Sequence, residues 1–195
     1  MESQREYFNN LAHKWDEICY HDSKKIEMLL DYVGINKGDK ILDVGCGTGV
    51  LTLFLRKLTG DGGSITSVDI SENMIEAAKK KFSYDNVEFV AQDIMEFKPS
   101  EKYNAIILYS CFPHFQEKEQ LIKRLYGYVD KGGSLSICHS QSRDDINRVH
   151  SKNKMVEEDV LPEAHYTAYM MKKTGLAIKV CLENDNMYIV SGTSV

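Results

Sequence analysis

A run of alternating glycines and three aspartates are the residues best suited to chemistry. In Asp43-Val44-Gly45-Cys46-Gly47-Thr48-Gly49, every second residue from Gly45 is glycine, directly after an apolar stretch. Glycines let a backbone approach a ligand closely and take positive φ. Such turns serve dinucleotides, phosphates and amino-acid nucleosides alike, so the details decide. The spacing is G-x-G-x-G, one residue shorter than the dinucleotide pattern G-x-G-x-x-G. Asp43, two positions ahead of Gly45, would repel a pyrophosphate but suits the ammonium of an amino-acid ligand, directly or through water. No Lys-Ser or Lys-Thr follows, so this is not a P-loop. Asp69 can accept from both hydroxyls of a ribose through charge-assisted bonds, a use it shares with nicotinamide-dinucleotide enzymes. Asp93 suits an adenine amino group, with Ile70, Met74 and Ile94 placed to sandwich the ring.

A second set lies further along, in Ser110-Cys111-Phe112-Pro113-His114-Phe115 and in His139-Ser140-Gln141-Ser142-Arg143 with His150. His114 is a candidate general base, or a structural histidine beside the ligand. His139 and His150 flank a polar stretch; they either bind a metal or anionic acceptor, or cap a solvated loop. Their separation matches no recognised metal-ligand spacing, and no metal is assigned. Arg143 suits an acceptor carboxylate or a backbone carbonyl. Cys111 is a reactive thiol or a small packing residue. The sites drawn from this are catalytic His114 and His139, and acceptor-binding His114, Phe115, Arg143 and His150.

These residues need elements to position them. Strands are expected at residues 40–44, 64–69, 87–91, 105–109 and 134–138, each of the first four leading toward a helix or polar turn. Helices are expected after the glycines, at 72–82 with Ser71 as N-cap and Glu72 at its positive end, and at about 118–129. The alternation predicts an α/β fold with a mostly parallel sheet. Residues 3–33 read as helical, with Ile26, Leu29, Leu30 and Val33 at helical spacing. Residues 140–160 read as polar and irregular. Pro162 is expected to open a helix to 173, and strands at 177–182 and 187–191 to close a hairpin around Glu183-Asn184-Asp185-Asn186.

The 195 residues suit one domain, 1–195, with a helical N-terminal lid over 1–35 and the core over 36–195. A net charge of −5 disfavours phosphate backbones and anionic membranes. No apolar run reaches the length of a membrane span, and no signal peptide is evident. A cytoplasmic location is expected, with neither nucleic acid nor membrane as partner. The five cysteines form no C-x-x-C pair, so free thiols are expected.

Ile41-Leu42-Asp43-Val44-Gly45-Cys46-Gly47-Thr48-Gly49, Val68-Asp69-Ile70-Ser71 and Ala91-Gln92-Asp93-Ile94 resemble three motifs of the class I S-adenosylmethionine-dependent methyltransferases. The resemblance covers residues 8–138. It implies a Rossmann-like, doubly wound, seven-stranded sheet with the last strand antiparallel. It implies S-adenosylmethionine as methyl donor, leaving as S-adenosylhomocysteine. Asp43 and Gly45 would then face the methionine part, Asp69 the ribose and Asp93 the adenine, with Cys46, Gly47 and Ser110 also taken as donor-binding. The stretch 8–16 is similar to the ubiquinone and menaquinone biosynthesis-type branch, in which Tyr7 or Phe8 and Trp15 fold over the donor; packing of an amphipathic helix is the other reading. The segment around His114 departs from the Asn-Pro-Pro-Tyr type, which argues against adenine-N6 and glutamine-amide acceptors. A small-molecule acceptor is expected, and a homodimer is one way to complete an open acceptor pocket. A protein or RNA acceptor, a dinucleotide oxidoreductase and a non-catalytic donor-binding protein are the competing readings.

Overall fold

A computed structural model describes residues 3–195; the first two residues of the expected lid lie outside it. The N-terminal region holds α1 (Gln4–Leu11), a 3-10 turn (Ala12–Lys14), α2 (Trp15–Ile18) and α3 (Ser23–Val33). The region expected to be helical is so, in several pieces, with residues 19–22 as the break before α3. Asp22 causes the restart: its carboxylate accepts from the amides of Lys24 and Lys25, at 2.9 and 3.2 Å. Gly34, at φ 76°, ends α3 in the left-handed region. Ile26, Leu29, Leu30 and Val33 are all buried, as their spacing requires.

The core alternates β1 (Lys40–Val44), α4 (Thr52–Thr59), β2 (Ser64–Asp69), α5 (Glu72–Lys81), β3 (Val87–Ala91), β4 (Tyr103–Tyr109), α6 (Lys118–Tyr126) and β5 (Val129–His139). It continues with α7 (Arg143–His150), α8 (Ala164–Lys173), β6 (Ala177–Glu183) and β7 (Tyr188–Thr193). The strands form one seven-stranded sheet in the order β3-β2-β1-β4-β5-β7-β6. β7 pairs antiparallel with both β5 and β6, and the other pairings are parallel. This is the expected doubly wound, Rossmann-like sheet. The order reverses between β1 and β4, and ligands of open α/β sheets bind beyond the strand ends at such a point.

Period-two alternation in β4 feeds two apolar layers. Ile106 and Leu108 join one with Leu121, Leu125 and Met171. Ile107 and Tyr109 join the other with Ile26, Leu30 and Leu55. Both faces of the central strands are thereby covered, which is why they read as nearly all apolar.

Three local differences have physical causes. Residues 140–160 are not irregular throughout: α7 starts at a Ser142 cap that accepts from the Asp145 amide at 3.1 Å, with Asp144 and Asp145 in its first turn. Only Ile146 of this helix is buried, so it shows no apolar period. The helix after Pro162 begins at Ala164: Asn147 ties down Leu161 through both its amide and its carbonyl, and Glu163, at ψ 144°, is the cap. β4 and β5 begin earlier than expected, with a register shift between Tyr103 and Ala105 that absorbs the Gly132-Gly133 bend.

Candidate active site

The glycine turn follows β1 and leads toward α4. Gly45, Gly47 and Gly49 all have positive φ. At Gly45 the need is also spatial, since a Cβ there would meet the side chain of Cys111. The turn is braced from β2: Asp69 Oδ2 accepts from the Gly47 amide at 2.8 Å, and Oδ1 accepts from the Ser71 amide at 2.9 Å. Ser71 in turn caps α5 by accepting from the Met74 amide.

A cavity of about 320 Å³ opens at the carboxyl ends of β1, β2, β3 and β4, a size suited to a small ligand. Asp43, Gly45, Cys46 and Gly47 line it from the first strand, Asp69, Ile70 and Met74 from the second. Gln92, Asp93 and Ile94 line it from the third, and Ser110, His114 and Phe115 from the fourth. Phe8 and Trp15 reach it from the N-terminal helices. All the residues picked from the sequence as donor-binding except Tyr7 are thus brought together around one cavity.

The electrostatics are dominated by Asp43 and Asp69. Asp43 is buried, and its Oδ2 has no hydrogen-bond partner. Burial, with the neighbouring Asp69 charge, pushes its carboxyl up to about 7. Burial also raises Asp69, against the Ser71 and Gly47 amide bonds that favour its charge. A buried carboxylate oxygen facing a cavity without a partner is costly; a cationic ligand group would relieve it. Asp93 Oδ1 accepts from the Met95 amide at 2.8 Å, which fixes the turn beyond β3. Ser110 is the non-glycine residue with positive φ, 56°, among the described residues, a strained backbone of the kind that gathers at functional sites. Its amide donates to the Cys138 carbonyl.

Cys111 is a packing residue by its surroundings. It is buried, its thiol donates to the Val44 carbonyl at 3.0 Å, and burial holds its pKa well above the ordinary thiol value.

Four other picked residues stand off the cavity wall. Tyr7 packs edge-on against Phe8, and its hydroxyl accepts from Asn153 Nδ2 at 2.7 Å. His139 is buried beside Tyr188, and burial drives its imidazole down to about 3, so it is neutral. Arg143 pairs with Glu183 at 2.6 Å and with Asp144. His150 Nδ1 donates to the Asp159 carbonyl at 2.6 Å. His114, in contrast, is on the wall, with Phe8 on one side and His150 on the other at ring separations of 5.1 and 5.0 Å.

The structure adds residues that sequence reading missed. His21 and Tyr109 line the cavity and share a hydrogen bond of 3.0 Å, and Tyr109 continues to Ser140 Oγ at 2.8 Å. His21 precedes α3 in a loop, so no periodicity pointed to it. Tyr109 closes the expected fourth strand, at the end where an acceptor is expected, and is not singled out for a role by the sequence. Gln92 directly precedes Asp93 and could have been found as the first residue beyond β3.

The N-terminal helices are fastened over this cleft. Asn9 Oδ1 accepts from Ser71 Oγ at 2.6 Å and from the Asn73 amide at 3.1 Å, and its Nδ2 donates to Glu72. Asp16 accepts from Thr48 Oγ1 at 2.5 Å and from Lys81 at 2.7 Å. Trp15 Nε1 lies 3.5 Å from where a Gly47 Cβ would be.

A doubly wound sheet with a glycine turn at its switch point and an acid at each of the next two strand ends defines a nucleoside-binding α/β protein of the Rossmann-like class. The chain belongs to the methyltransferase-domain family, whose model matches residues 35–188. It is 36% identical over 131 residues to a malonyl-[acyl-carrier protein] O-methyltransferase of Priestia megaterium, covering 66% of this chain and 47% of that one. It is 40% identical over 95 residues to a demethylmenaquinone methyltransferase of Staphylococcus aureus, covering 46% of this chain and 39% of that one. The chain thus spans less than half the length of these curated relatives. Among solved structures, it superposes on an S-adenosylmethionine-dependent methyltransferase from Aquifex aeolicus with a TM-score of 0.74 at 21% identity, over 96% of this chain and 98% of that one. It also matches the magnesium protoporphyrin IX methyltransferase of Synechocystis with bound S-adenosylhomocysteine, with a TM-score of 0.72 at 19% identity, over 98% and 97% of the two chains. Among the described residues, no helix is long and apolar enough to cross a membrane.

Proposed function

We propose that this chain transfers a methyl group from S-adenosylmethionine to a small-molecule acceptor. The observation that carries the reading is the unpartnered, buried oxygen of Asp43 on the cavity wall beside Asp69. A dinucleotide pyrophosphate would meet two carboxylates there; the ammonium of an amino-acid nucleoside meets complementary charge. Asp43 would hold that ammonium, Asp69 the ribose hydroxyls, and Asp93 the adenine amino group between Ile70, Met74 and Ile94. When bound, the donor supplies an electrophilic methyl on a sulfonium.

What the chain contributes is alignment and exclusion of water, the main requirements of an in-line displacement. The glycines admit the ligand, Ser110 fixes the far wall, and residues 1–35 act as a lid over the 36–195 core through Phe8 and Trp15. The named acceptors of the relatives, malonyl-[acyl-carrier protein] and demethylmenaquinone, support acceptor diversity at one donor site. The acidic balance supports an acceptor other than nucleic acid.

Calorimetry tests the donor. S-adenosylhomocysteine is expected to bind with micromolar affinity and to lose it in Asp69→Ala; binding of NAD in its place would overturn the reading. Labelled methyl donor offered with metabolite extracts tests transfer. Light scattering decides the homodimer that an open pocket mouth predicts.

A further inference from the structure

The segment between α7 and α8 brings one carboxylate under the cavity. Asp159 is 4% exposed, yet both of its oxygens are engaged. Oδ2 accepts from His114 Nδ1 at 2.7 Å, and Oδ1 accepts from Gln116 Nε2 at 2.8 Å. Its backbone carbonyl accepts a hydrogen bond from His150 Nδ1. Burying a carboxylate is expensive unless it is fully paired, and here it is paired with a ring nitrogen of His114 on the cavity wall and with the side-chain amides of Gln116 and Gln4. Because the carboxylate can only accept, His114 Nδ1 must carry the proton. Its Nε2 is then a bare lone pair with no hydrogen-bond partner among the described residues. Second-site hydrogen bonds of this kind set the tautomer of a histidine.

The remaining charged and titratable groups around His114 are His150 from α7, His139 from β5, Asp69 from the end of β2, and Lys118 from α6, whose ammonium lies near Asp159 and donates to the Pro113 and Phe115 carbonyls. Burial holds both His139 and His150 below the ordinary imidazole value.

We propose that Asp159 is a positioning residue that presents His114 Nε2 as the proton acceptor for a nucleophile entering with its proton, a hydroxyl or an amine, and not for a carboxylate. The proposal rests on the methyl-transfer reading above. The acceptor's lone pair forms the bond to the methyl carbon, the pair of the broken carbon–sulfur bond stays on sulfur, and the O–H or N–H proton passes to His114 Nε2. An ionised carboxylate acceptor has no such proton and needs no such base.

The test begins with histidine 15N NMR on the unchanged chain with S-adenosylhomocysteine. His114 is expected as the Nδ1–H tautomer; the Nε2–H tautomer would overturn the proposal, with no variant needed. In Asp159→Asn, whose side-chain amide can donate to Nδ1, the His114 tautomer is expected to switch. An unchanged tautomer in a folded variant would overturn it too. Labelled methyl transferred to metabolite extracts is then treated with base. Label released as methanol marks a carboxyl ester and overturns the proposal; base-stable label is assigned by NMR, a methyl on oxygen or nitrogen supporting the proposal and a methyl on any other atom overturning it. Failure of S-adenosylhomocysteine to bind, or of any label to transfer, sinks the methyl-transfer reading itself, while the tautomer still reports on the dyad.

Discussion

Gly45 and Cys111 are so close that a Cβ on the glycine would lie 2.6 Å from the Cys111 Cβ and 2.8 Å from its Sγ. The contact joins the turn after β1 to the start of the segment after β4, the two sides of the switch point. Gly45 also sits at φ 66°. Gly45→Ala therefore adds a left-handed strain of about 1–2 kcal/mol to an overpacking cost of about 1–3 kcal/mol. Thermal unfolding is expected to show a loss of at least about 2 kcal/mol, with S-adenosylhomocysteine binding weakened more than tenfold. Gly34→Ala is the control: a Cβ there meets open space at a similar positive φ, so it isolates the backbone strain and should leave binding intact.

Asp43 links pH to both stability and binding. Its folded pKa, about 7, is raised above the ordinary carboxylate value. The folded chain thus holds a proton that the unfolded chain has released between about pH 4 and 7. The contribution is fully present below about pH 4 and is lost as pH rises through 7, at up to about 1.4 kcal/mol per pH unit. Asp43→Asn should remove this fall, gaining on the unchanged chain as pH climbs toward 8, while losing donor binding. Because the proposed ammonium favours the ionised form, binding of S-adenosylhomocysteine at pH 6 should release a proton. Calorimetry in two buffers of different ionisation enthalpy measures it; equal heats would contradict an ammonium at Asp43.

Much of this site was legible because it is local. The glycine turn, Asp69 and Asp93 each end a strand in the sequence, and a parallel sheet gathers strand ends at one edge. His21 and Asp159 were not legible for the opposite reason. They sit in segments without period; His21 lines the cavity just ahead of α3, and Asp159, in the 151–161 stretch, meets the lining residues His114 and Gln116. His139 and Arg143 were picked for their place after a strand. The register turns His139 inward against Tyr188, and Glu183 on β6 draws Arg143 away.

His139 gives the opposite pH signature. Its folded pKa, about 3, is depressed from the ordinary imidazole value, and its Nε2 is buried with no partner. The stability it allows is present above about pH 6.5 and is lost as pH falls toward 3. In the unchanged chain this slope and that of Asp43 oppose each other between about pH 4 and 6.5. His139→Leu removes one of the two. Its stability, followed by denaturant titration, should fall as pH rises across this range, where the unchanged chain is nearly flat. Since His139 stands off the cavity wall, S-adenosylhomocysteine affinity should change less than threefold; a larger loss would return it to the site.

Asn9 tests the lid. One side chain accepts from Ser71 Oγ and the Asn73 amide and donates to Glu72, and its carbonyl accepts from Asn73 Nδ2 at 3.0 Å. These bonds fasten α1 to the start of α5, the helix that carries Met74 into the cavity. Arg5 adds an exposed pair with Glu72, worth little on its own. Asn9→Ala leaves the Ser71 hydroxyl and the Asn73 amide without their acceptor, at about 1 kcal/mol for each net bond lost. Ser71 still caps α5 through Met74, so the core should hold. Hydrogen exchange in residues 4–18 should then rise about tenfold or more, while exchange in β1 and β4 stays as it was. Phe8 and Trp15 move with α1 and α2, so S-adenosylhomocysteine should dissociate faster in stopped flow with little change in its association rate. Equal dissociation rates in the two chains would mean that these helices pack on the core without closing over the ligand.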